Sequence, residues 1–178
     1  DLNTSNPQDL ALINRDLGTI EKATSPKVTI NMYSELPGGQ LSVSQMWSGD
    51  VVNAQYYLPK NTPASVLRYW YPQDGKGEVD NDLMVILRGG HSPVLAHRFL
   101  EFMLQPEIAA KNFSYIGYQP PQTNLDTRTL VKQGYITQEM SQTAVQKEWF
   151  DVGYRLLELS PANDAAWHRI WQDFKAGG

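Results

Sequence analysis

The sequence predicts an α/β fold. Two observations carry this. β-branched, alternating or continuously apolar segments read as strands at 27–33, 41–47, 66–72 and 82–88, and helical patterns with start signals stand between and after them. Strands separated by helices are the signature of an α/β architecture. With 178 residues, the chain suits one domain or two small lobes.

The elements follow in order. In "SNPQDLALINRDLGTIEKA", Asn6 is the expected N-cap, Pro7 opens the helix and Asp9 sits in its first turn. Leu10, Ile13, Leu17 and Ile20 then recur as one apolar stripe. "KVTINMY" and "LSVSQMW" alternate as strands around the loop "ELPGGQ". A helix is expected to start near Ser48 or Asp50, either of which can cap it. "VLRYWYP" is a strand ended by Pro72, and "DLMVILR" has the continuous apolar pattern of a strand buried on both faces. Ser92 and Pro93 open a helix whose buried stripe is Leu95, Phe99, Phe102 and Met103. Pro106 opens another, and "GYQPPQ" is an extended exit. Helical segments are expected near 127–133, 137–147, 150–158 and 161–175.

Composition narrows the function classes. The formal net charge is −4 and the pI about 5.3, so the chain has no basic field for nucleic acid. There are no cysteines, which removes thiol catalysis, disulfides and thiolate metal sites. The sequence carries no phosphate-binding glycine loop, no G-x-S-x-G and no H-E-x-x-H. His91, His97 and His168 are scattered, and the acidic "EVDND" lacks the frame of a calcium loop. The expectation is a protein that is not an enzyme and holds neither metal nor cofactor. The chain opens directly into "DLNTSNPQDL" with no initiator Met or signal pattern, so it is expected to be a mature or truncated product.

Aromatic residues near turns are the positive signal: Trp47, Tyr56, Tyr57, Trp70, Tyr71 and Tyr118. A tryptophan at a strand end serves as core packing more often than as a ligand wall. Asp82, entering an apolar strand, needs a partner if it is buried. A bound cation, an arginine or a helix N-terminus could each supply one. Aromatic faces beside a carboxylate suit an organic ammonium, which gains about 0.5–2 kcal/mol from a ring face and about 1.5–3 kcal/mol from a charge-assisted hydrogen bond.

Five motifs then occur in a fixed order. These are "WSGD", "YWYPQDG", "DLMVI", "SPVLAHRFLEFMLQPEIAAKN" and "IGYQPPQ", closed by "WHRIWQDFKAG". Their order resembles that of bacterial spermidine/putrescine-binding proteins, the solute receptors of ABC importers. The resemblance implies a periplasmic-binding-protein-like (type II) bilobal fold, here incomplete: the second lobe plus part of the first. Residues 1–81 would begin the C-terminal lobe, 82–126 would cross the hinge and complete part of the N-terminal lobe, and 127–178 would return as helices. It further implies binding of spermidine, putrescine or a similar organic cation in an interlobe cleft, and delivery to an ABC permease in the membrane; the alternatives are a carrier of the same fold for a different solute, or an enzyme domain built on the bilobal scaffold. The location would be periplasmic or extracellular, with anchoring as a lipoprotein compatible with it. The chain would be covered by a missing N-terminal half of the same protein, or by a second copy. By position, Trp47 matches a pocket tryptophan, Asp82 a carboxylate that pairs with a ligand amine, and Tyr118 a tyrosine lining the cleft. Asp80 stands where many polyamine binders carry a second tryptophan, so it joins Gln119 as a secondary candidate.

Overall fold

The computed structural model describes residues 2–177. Its helices are α1 (Pro7–Thr24), α2 (Met32–Glu35), α3 (Ser48–Ala54), α4 (Pro93–Met103), α5 (Pro106–Ile116), α6 (Thr127–Lys132), α7 (Trp149–Val152) and α8 (Pro161–Lys175). Short 3₁₀ turns occupy Gln55–Tyr57, Ala64–Val66 and Gln138–Thr143. The chain divides into two compact units. One comprises residues up to Thr29, Glu78–Asp80 and the stretch from Tyr154 onward; the other comprises Ile30–Gly77 and Asn81–Gly153.

In the first unit, α1 packs against α8. Asn6 caps α1 as expected, its side chain accepting from the Gln8 N–H at 2.9 Å, and Pro7 needs no amide partner in the first turn. Ser160 and Pro161 repeat this device at the start of α8. Thr4 is buried; its hydroxyl donates to Asp9 Oδ2 at 2.8 Å, and its carbonyl accepts from Trp167 Nε1 at 3.1 Å. Asn3 clasps the extended segment after Tyr154, donating to the Arg155 carbonyl and accepting from the Leu157 N–H, both at 2.8 Å.

In the second unit, the core gathers Val51, Val52, Phe113, Leu125, Leu130 and Met140. α3 packs against α5 and the Gln138–Thr143 turn. Phe113 is fully buried, with the Tyr135 ring edge-on at 6.2 Å between centroids.

The expected strands do not assemble into a sheet among the described residues. Pairing there is limited to an isolated parallel bridge between Glu78 and Tyr154, so the α/β expectation is met only in its helices. The stretch 27–33 turns into α2 at Met32, and 41–47 forms neither strand nor helix, with a bend at Ser42. In 82–88, Leu83 and Val85 are 80% and 75% exposed rather than buried on both faces, and the backbone of 83–86 forms no hydrogen bond among the described residues. The physical reason is that strand propensity describes how a segment fits a half-buried pleated surface. It cannot supply the neighbouring strands that make such a surface. The stripe of α4 is corrected too: Leu95, Phe99 and Phe102 are exposed and Met103 is only half-buried, although Pro93 does open the helix. The segment expected as a helix at 150–158 keeps only α7, and 137–147 contracts to a 3₁₀ turn.

Candidate ligand-binding site

The site is built where α3 meets the end of α5. Trp47 is the N-cap of α3, with extended backbone and an exposed indole; neither Ser48 nor Asp50 caps the helix. Asp50 lies three residues further on, in the first turn, where the positive end of the backbone dipoles favours a carboxylate.

Side chains from α3 and the turn after it close over the last turn of α5. Asn53 Nδ2 donates to the Tyr115 carbonyl at 2.6 Å, and the Tyr56 hydroxyl donates to the Ser114 carbonyl. These are helix-end carbonyls that lack intrahelical donors. α5 then ends on Gly117 at φ +84°, whose N–H bonds the Phe113 carbonyl at 2.8 Å. Glycine adopts this left-handed cap without a Cβ penalty.

The next residue is Tyr118. Its ring lies against Gly49, and its hydroxyl donates to Asp50 Oδ1 at 3.2 Å. Asp50 Oδ2 has no partner among the described residues. Partial burial raises the Asp50 carboxyl above the usual carboxylate range, and the tyrosine hydrogen bond partly offsets this. Tyr118 is held well above an ordinary phenol, first by burial, then by the Asp50 charge and hydrogen bond, and further by the charges of Asp82 and Tyr69. Two carboxylates, Asp50 and Asp82, therefore bear on one phenol. Asp50 and Asp82 set negative charge toward the Tyr118 phenol, an environment that attracts an ammonium group, and Trp47, three residues before Asp50 at the N-cap of α3, is exposed.

The sign of the tyrosine shift yields a prediction. The folded state keeps the Tyr118 proton to higher pH than the unfolded chain does. Its contribution to stability is complete below the ordinary tyrosine value of 10.0 and is lost as pH rises from there. Tyr118→Phe is expected to flatten the fall of the urea midpoint from about pH 10 upward. Equal slopes in variant and wild type would show that Tyr118 ionises as freely folded as unfolded.

Of the residues singled out by sequence, Trp47, Asp82 and Tyr118 all belong to the second unit. Asp82 is exposed, just before Leu83, so no buried charge demands a partner there. Asp80 belongs to the first unit. The Gln119 amide bridges backbone, donating to the Leu125 carbonyl at 3.2 Å and accepting from the Val145 N–H at 2.7 Å. Asp50 is the residue that sequence reasoning missed. Its signal was the W-x-x-D spacing, which puts both residues in one helical turn.

Over 175 residues, the chain is 23% identical to a putrescine/agmatine-binding protein of Pseudomonas aeruginosa, covering 98% of this chain and 46% of the relative. The chain thus spans about half the length of the curated relative it matches. No family model and no solved structure matches the chain.

Proposed function

We propose that this chain is the C-terminal half of an extracytoplasmic receptor that binds a polyamine, putrescine, agmatine or spermidine, and delivers it to an ABC permease. The observation that carries the proposal is the Asp50–Tyr118 pair with Asp82 bearing on the same phenol, Asp50 standing on the helix whose N-cap is the exposed Trp47. Similarity to a putrescine/agmatine-binding protein across nearly the whole chain supports the same ligand class.

In this reading the chain belongs to a bilobal, periplasmic-binding-protein-like fold, and the remaining half of the protein supplies the neighbours that the extended segments lack. The exposed side chains of Leu83, Val85, Val94 and Leu95 form the surface it would cover. The protein performs no bond chemistry. It works by closing on the ligand, which requires tighter binding to the closed state than to the open one. Its location is periplasmic or extracellular, and a lipid anchor is consistent with delivery to a membrane permease.

The test is a thermal shift of the full-length protein with putrescine, spermidine, agmatine, phosphate and ferric citrate. A diamine at 100 times its Kd is expected to add about 2.7 kcal/mol to stability and raise Tm accordingly. A shift with phosphate or ferric citrate and none with any polyamine sinks the proposal.

A further inference from the structure

The pairing of Tyr118 with Asp50 depends on two places where the backbone tolerates no side chain. A Cβ built on Gly49 would fall 2.5 Å from Tyr118 Cε2 and 2.6 Å from its Cγ, inside the ring's van der Waals surface. A Cβ on Gly117 would fall 2.6 Å from Val52 Cβ and collide with the Gly49 carbonyl. Gly49 is buried in the first turn of α3, and Gly117 is buried at the exit of α5. The two glycines therefore face each other across one contact, with the Asn53 and Tyr56 hydrogen bonds drawing the helices together beside it.

We infer that Gly49 and Gly117 are positioning residues of the amine site: their missing side chains let α5 end close enough to α3 for Tyr118 to lie flat on Gly49 and hold Asp50. The inference rests on the polyamine reading for its ligand and on the glycine contacts for its geometry. A phenol fixed on Oδ1 pins the carboxylate and leaves Oδ2 as the acceptor for an ammonium hydrogen bond. Without the pin, Asp50 would bind the same ligand only after losing its own rotamer freedom, so the loss appears in affinity. Neither glycine touches the ligand; both act through Tyr118.

Gly49→Ala is the informative variant because its clash is with a side chain, whereas that of Gly117 is with backbone. In the full-length protein, Gly49→Ala is expected to weaken putrescine binding at least tenfold and lower Tm. Tyr118→Ala removes the ring that the new methyl meets. In that background Gly49→Ala should produce little further loss of affinity and a much smaller fall in Tm, a strongly non-additive cycle. If Gly49→Ala alone does not fold, recovery of folding in the double variant supports the inference. A double variant as defective as the sum of its parents overturns it.

A ligand-free readout separates this from the polyamine reading. With ¹³C-labelled tyrosine, the Tyr118 ring resonance should follow the ionisation of Asp50 in the wild type and lose that dependence in Gly49→Ala. Wild-type protein that shows the coupling but binds no polyamine defeats the ligand assignment and leaves the positioning role standing. A Gly49→Ala protein that keeps both the coupling and the wild-type Kd defeats the positioning role.

Discussion

Phe113→Ala is expected to destabilise the second unit by about 3–5 kcal/mol. Phe113 is fully buried on α5 among Val51, Val52, Leu130 and Met140, and its ring meets Tyr135 edge-on. Truncation removes the transfer energy of the ring and leaves a void that neighbours on three separate elements cannot fill at once. Domains commonly hold only about 5–15 kcal/mol in total, so this is a large share. The urea midpoint should fall with the m-value unchanged. Phe99→Ala deletes the same ring from α4, where Phe99 is 53% exposed, and should cost about 1 kcal/mol or less in this chain. In the full-length protein the Phe99 variant becomes informative. If the other half covers α4, the loss should rise toward that of Phe113→Ala. An equally small loss in both settings removes α4 from the covered surface. A Phe113→Ala protein as stable as wild type would mean that α5 does not sit in the core as described.

What could be read from the sequence follows the range over which each signal acts. Helix starts are local: Asn6 with Pro7, Ser160 with Pro161, and the prolines at 93 and 106 all mark observed helix starts. The stripes and strands depend on what lies opposite. "DLMVILR" is patterned for burial on both faces, yet Leu83, Met84, Val85 and Leu87 are exposed, because among the described residues no neighbouring strand pairs with them. The pattern was real and its consequence was not, since a pattern cannot report whether a partner is present.

The site divides along the same line. Trp47 and Tyr118 stood out by type and position, but the bond from Tyr118 to Asp50 joins residues 68 apart in the chain. Nothing local announces such a contact. Asp50 read only as one of two candidate caps, a role that its place inside the first turn of α3 denies it. The glycines offered the better clue. "WSGD" and "IGY" each set a glycine beside a candidate ligand residue, and the structure places those two glycines against each other. Gln119, next to Tyr118 in sequence, spends its amide on the backbone of Leu125 and Val145.

The largest effect on binding is expected from removing both carboxylates. Asp50→Asn keeps an acceptor for the Tyr118 hydroxyl and deletes the charge; Asp82→Asn deletes a charge on an exposed segment. Each should weaken putrescine binding by about 1.5–3 kcal/mol, roughly 10- to 150-fold, if each carboxylate receives an ammonium. The ligand decides between two arrangements. If Asp50 and Asp82 hold opposite ends of the diamine, the double variant loses the sum of the two effects, and a monoamine such as butylamine responds strongly to one substitution only. If both hold the same end, the losses overlap, and the monoamine responds to both. Acid should act through Asp50 first, since its carboxyl is raised by burial and takes its proton at a less acidic pH than an ordinary aspartate. Putrescine affinity in the wild type should therefore begin to fall at a less acidic pH than an ordinary aspartate would set, and this early part of the fall should be absent in Asp50→Asn. Unchanged titrations in both single variants would remove these carboxylates from the site and leave Trp47 and Tyr118 without the charge that an ammonium needs.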